Sequence, residues 1–175
     1  MSAASPFAPS VLVYDDTGEH ADALREAIEG AGLSVPEVIS SPIALIDQAA
    51  GNCPDVIIVH TDSPGRDVLE HLCVMTRDRP RPIVMFSGDD DVGTIRDATR
   101  AGVTAYVVDG LDPGRVRPIL AAAIAQFDEM QRLRAELADV HLKLAERKVV
   151  EKSKGLLMQH HGLNEQQAYA SLRAM

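Results

Sequence analysis

The chain has 175 residues, 46% of them hydrophobic, and a formal net charge of -9. That length holds one full-sized domain and a smaller appendage, and the apolar content excludes a disordered chain. No run reaches the ~18 apolar residues of a membrane span, and the first ten residues lack the basic start and apolar core of a signal peptide, which predicts a cytoplasmic protein with no membrane partner.

Residues 1–9 read as a flexible tail. From Val11 onward, apolar runs at 11–14, 35–39, 55–60, 82–87 and 105–108 alternate with helical patterns at about 18–31, 42–50, 66–77 and 91–101. Gly32, Gly51 and Gly102 act as stop signals. Nearly continuous apolar runs suit parallel strands buried on both faces, so residues 10–127 predict an α/β domain with a five-stranded parallel, doubly wound sheet. Cys53 and Cys73 have no C-x-x-C spacing and read as two buried free thiols.

Asp112-Pro113 starts a helix that meets no glycine or proline between Pro118 and Gly155. In it Met130, Leu133, Leu137, Val140 and Leu144 recur at alternating steps of three and four, a coiled-coil seam over residues 128–147 that predicts a homodimer. Intramolecular packing of that stripe is the competing reading. A helical hairpin follows in residues 148–175: an amphipathic stretch from Val149 to His160, Gly162 as its stop, and Asn164-Glu-Gln-Gln167 as a capping box before a last helix. Two short helices bury their apolar faces poorly, so a third is expected, either beyond Met175 or from another chain.

Charge is divided between these regions. Residues 1–127 carry 19 acidic and 9 basic side chains, a net of -10, whereas residues 128–175 carry 7 and 8, a net of +1, with every lysine in the chain. Lys148 and Lys152, four apart, share a helical face, and with Arg147, Lys154 and Arg173 they are candidates to meet a phosphate backbone. A solvated lysine face is the plain alternative. Tyr169, the one aromatic there able to stack on a base, reads more naturally as core.

In an open parallel sheet, functional groups gather beyond the carboxyl ends of the strands. There the chain places Asp15 and Asp16 after the first strand, His60 on the third, Ser87 on the fourth and Asp109 after the fifth. Asp62 shares the strand parity of His60 and is a candidate surrogate acceptor, with a loop carboxylate as the preferred reading. Asp89-Asp90-Asp91 precedes a helix and reads as a cap; His71 and Cys73 lack ligand spacing.

This layout resembles the receiver domain of two-component response regulators, a flavodoxin-like fold. The resemblance implies an acidic pair and an acceptor aspartate that hold Mg²⁺, a hydroxyl on strand four, and a lysine after strand five. Asp15, Asp16 and Ser87 match it, and Pro64-Gly65 matches the turn after strand three. His60 stands at the acceptor position and Asp109 at the lysine position. An imidazole nitrogen is a poor substitute for the hard oxygen Mg²⁺ prefers, so neither aspartyl phosphorylation nor a bound Mg²⁺ or other cofactor is expected, and no enzymatic activity. His60 is either drawn to its charged form by Asp15, Asp16 and Asp109, an internal ion pair in place of a metal, or is a neutral hydrogen-bonded structural histidine.

The segment from Leu144 onward resembles the start of an ANTAR module, the RNA-binding domain of AmiR- and NasT-type antiterminators. The marks are Glu151-Lys152, Lys154-Gly155-Leu-Leu-Met158, Gly162-Leu163, Ala168-Tyr169 and Leu172-Arg173. Asp62-Ser63-Pro64, Pro82-Ile-Val-Met-Phe86 before the acidic triplet, and Ala105-Tyr-Val-Val-Asp-Gly-Leu111 extend the likeness to the NasT group. It implies a regulator of nitrate and nitrite assimilation, held inactive by a nitrate-sensor protein and released to bind leader RNA hairpins. A DNA-binding response regulator and a pure protein-interaction module are the alternatives.

Overall fold

A computed structural model of the protein describes residues 9–35, 37–108, 112–162 and 164–173. The chain divides into two compact units, Met1–Asp128 and Glu129–Met175. The first alternates strands and helices: β1 (Val11–Asp15), α1 (Ala21–Gly30), β2 (Val38–Ile39), α2 (Pro42–Asn52), β3 (Val56–Thr61), α3 (Arg66–Asp78), β4 (Ile83–Ser87), α4 (Val92–Arg100) and β5 (Ala105–Val108). The long helix α5 (Pro113–His161) begins in the first unit and continues into the second, which closes with α6 (Glu165–Arg173).

The strands form one parallel sheet in the order β2-β1-β3-β4-β5. Alternate residues of each strand face opposite layers, so the apolar runs fill two cores. Val11, Val13, Val56, Ile58, Val84 and Phe86 pack with Leu24 and Ile28 of α1 and Val116 and Leu120 of α5. Leu12, Tyr14, Ile57, Val59, Ile83 and Met85 pack on the other face with Leu45 of α2, Leu72 of α3 and Ala98 of α4. The order reverses between β1 and β3, which places the crevice of the sheet where Asp15 pairs with His60.

Local chemistry explains most boundaries. Asp91 caps α4, its carboxylate accepting the Thr94 N–H at 2.9 Å, and Ser41 caps α2 through the Ala44 N–H. Asp112 does the same for α5 through the Gly114 N–H. Gly102 follows α4 with φ +106°, and a Cβ there would lie 2.9 Å from Thr76 Oγ1, so the turn needs both the backbone freedom and the missing side chain.

Three sequence expectations change. The second strand is two residues long, not 35–39, because it is an edge strand paired only with β1; Val35 is buried in the core without joining the ladder. Gly51 does not stop α2, which runs to Asn52 and ends on Cys53 in the left-handed conformation, φ 46°. Both cysteines are exposed, not buried: Cys53 holds that cap, and Cys73 lies on the solvent side of α3. The helix expected to run from about 114 to beyond 147 continues as α5 to His161, with Gly155 accommodated within it, and Gly162, at φ +63°, follows its end. The anticipated tail, residues 1–9, lies outside the described residues except for Pro9.

Candidate functional site

The carboxyl ends of β1 and β3 bring Asp15 and His60 side by side. Asp15 is fully buried, and its Oδ1 lies 3.1 Å from His60 Nδ1. Its other oxygen accepts the backbone N–H of His20 at 2.8 Å, where the chain turns back into α1. That turn also delivers the His20 side chain, whose Nδ1 is 4.0 Å from Asp15 Oδ1 and whose ring centroid is 4.6 Å from that of His60. His20 was not singled out from the sequence; a histidine five residues after Asp15, just before the first helix, was the available signal.

Asp16 does not join this group. Its two oxygens accept the hydroxyls of Tyr14 at 3.1 Å and Thr61 at 3.2 Å. Burial, followed by the charge of Asp16, raises the Tyr14 phenol well above its ordinary range, so it remains a donor. Of the three aspartates expected around His60, Asp15 stands beside it, Asp16 is turned aside, and Asp109 lies outside the described residues. Either form of His60 satisfies the 3.1 Å contact as a donor.

Ser87, at the end of β4, donates to the Asp62 carbonyl at 3.1 Å and accepts the Asp89 N–H at 3.2 Å. Its hydroxyl is engaged in fastening two loops. The Asp62 carboxylate is exposed and its backbone makes that contact, which fits a loop residue better than an acceptor aimed at the crevice. Asp89 accepts the Asp91 N–H at 2.9 Å and the Ser63 hydroxyl at 2.8 Å, and these bonds, the backbone one foremost, hold its carboxyl below the usual range.

The receiver fold implies Mg²⁺ at these strand ends, and the residues present do not fit it. A hard, octahedral ion needs several oxygens. Here one Asp15 oxygen faces the crevice, Asp16 is committed to hydroxyls, and the other groups beside Asp15 are two imidazoles, which offer nitrogen in place of oxygen.

In the second unit, Asn164 and Gln167 form the reciprocal capping box: Gln167 N–H donates to Asn164 Oδ1 at 2.9 Å and Asn164 N–H to Gln167 Oε1 at 3.0 Å. Met130, Leu133, Leu137, Val140 and Leu144 are all exposed, between 42% and 56%. Arg147, Lys148 and Lys152 are exposed too, and no carboxylate among the described residues pairs with them. Lys154 differs: it is buried, and its ammonium donates to Glu165 at 2.6 Å and to Glu151 at 3.2 Å. Those two carboxylates, Glu165 first, raise its pKa, so it serves the hairpin and is withdrawn from any basic surface. Tyr169, anticipated as core, is half exposed, while neighbouring Ala168 is buried on the inner face of α6. The Arg173 side chain lies outside the described residues.

Residues 138–175 match the family model described as the ANTAR domain. The transcriptional regulatory protein PdtaR of Mycobacterium tuberculosis is 27% identical over 159 residues, covering 91% of this chain and 78% of that protein. The nitrate regulatory protein of Klebsiella oxytoca is 39% identical over 59 residues, which is 34% of this chain and 15% of that protein. Among solved structures, the signal receiver domain of a modulated diguanylate cyclase from Desulfovibrio desulfuricans has a TM-score of 0.61 at 22% identity, covering 71% of this chain and 99% of that one. At that identity the likeness concerns the fold.

The first unit thus has the receiver fold, and residues 138–175 match the ANTAR domain. The chain is similar to receiver–ANTAR regulators of the NasT and AmiR type. Among the described residues, no helix is long and apolar enough to cross a membrane.

Proposed function

We propose that the chain is an RNA-binding transcription antitermination regulator of the nitrate and nitrite assimilation type. A sensor protein docking on the receiver-like unit controls it, in place of aspartyl phosphorylation. The observation that carries this reading is the ANTAR match over residues 138–175, coinciding with the exposed cations Arg147, Lys148 and Lys152 on α5. The exposed seam from Met130 to Leu144 supports a homodimer, which doubles the positive charge offered to a leader RNA hairpin. His60 in the acceptor place, with Asp15 as its partner, supports control by docking, since an imidazole held at 3.1 Å by a buried carboxylate offers no acyl oxygen to phosphorylate. The likeness to a protein named as a nitrate regulator supports the choice of signal.

Transcription through a leader terminator in a purified system tests the proposal. Adding the protein increases readthrough, adding the cognate sensor protein without its ligand reverses the gain, and acetyl phosphate changes nothing. Unchanged readthrough defeats the antitermination reading, and a response to acetyl phosphate defeats control by docking.

A further inference from the structure

His20 Nδ1 is buried and has no hydrogen-bond partner. A ring nitrogen withdrawn from water without a partner is uncommon in a folded protein and asks for an explanation. It does not face an apolar wall. It faces the oxygen of Asp15 that His60 Nδ1 also approaches, at 4.0 Å and 3.1 Å respectively. Asp15, His20 and His60 each offer a ligand atom, and the three atoms lie within 4.8 Å of one another.

We infer that these three side chains form a binding site for a divalent transition-metal ion that prefers imidazole, of which Zn²⁺ is the representative. Bonds of ~2.0–2.1 Å in a tetrahedral arrangement place ligand atoms roughly 3.4 Å apart. The separations from Asp15 Oδ1, 3.1 and 4.0 Å, bracket that distance, so small side-chain rotations complete the triangle. Two nitrogens and one carboxylate oxygen match the ligand preference of Zn²⁺ and reject Mg²⁺. The His20 N–H bond to Asp15 Oδ2, 2.8 Å, fixes the carboxylate with Oδ1 toward the rings, the orienting role expected of an outer partner. Partial exposure of both histidines, 41% and 19%, leaves an entry path and room for water as the fourth ligand. The ion would join the ends of β1 and β3 to the turn before α1. The site stands independently of RNA binding.

The test uses the full chain, freed of metal by a chelator and then titrated with Zn²⁺ in competition with a colorimetric chelator, and with Co²⁺ as a spectroscopic probe. A single strong equivalent is expected, with visible Co²⁺ absorption of a four-coordinate site. His20→Gln and His60→Gln should each weaken Zn²⁺ binding at least about tenfold, while His71→Gln and His141→Gln leave it unchanged. Zn²⁺ should raise the melting temperature of the wild type and not of His20→Gln, whose melting in chelator serves as the check on folding. Absence of Zn²⁺ binding, binding unaffected by loss of His20 and His60, or equal competition by Mg²⁺ overturns the inference.

Discussion

Lys154 of α5 and Glu165 of α6 are joined at 2.6 Å, Nζ to Oε1, across the turn of the C-terminal hairpin. The bond lowers the Glu165 carboxyl below its ordinary value of 4.5. A carboxylate whose pKa is lower folded than unfolded contributes stability above its unfolded pKa and loses it as pH falls through the folded one. Acidification below about 4.5 therefore loosens α6 in the wild type. Lys154→Met retains the buried stem and removes the charge, so the Glu165 titration returns toward its ordinary range and α6 amides exchange several-fold faster. Carboxyl titration and amide exchange by NMR check both effects; a Glu165 titration unchanged by Lys154→Met contradicts the tie.

Of the three consecutive aspartates, Asp91 alone caps α4, bonding both the N–H and the hydroxyl of Thr94, while Asp90 is exposed. Asp91→Ala should cost about 1 kcal/mol in urea denaturation. Asp90→Ala should stay within roughly 0.5 kcal/mol. Equal losses at the two positions count against the cap.

Leu137 lies at the centre of the exposed seam. Leu137→Asp places a charge where a dimer buries an apolar side chain, and should weaken self-association at least about tenfold by sedimentation equilibrium while leaving the melting of the receiver-like unit unchanged. A wild-type chain that sediments as a monomer at high concentration contradicts the dimer.

His60→Asp sets a second carboxylate opposite buried Asp15. Like charges at such separation raise one pKa and destabilise the pair, by about 1–3 kcal/mol at neutral pH. A hard cation relieves the repulsion, so the variant should melt lower in chelator and recover with Mg²⁺, whereas the wild type should show no Mg²⁺ response. Scanning calorimetry distinguishes the two.

The sheet was legible because buried parallel strands must be apolar throughout, and the caps at Asp91 and Asn164 because capping is a contact over three residues. Contacts set by the path of a turn were not. His20 reaches Asp15 through a loop containing Gly18 at φ +73°, and nothing in the spacing alone reveals where its ring points. Lys154 read as one cation of a basic face because its partner Glu165 lies beyond the hairpin turn. Tyr169 and Cys73 follow the helix face they fall on, which composition does not disclose.

RNA affinity is the most direct measure of the central claim. Filter binding of a leader hairpin by this chain, across a salt series and beside Lys148→Ala/Lys152→Ala, should show affinity that falls steeply with salt and a smaller salt slope in the double variant, with the receiver-like fold intact. Affinity for the hairpin no greater than for duplex DNA, or identical binding by the double variant, contradicts the assignment of this face to RNA.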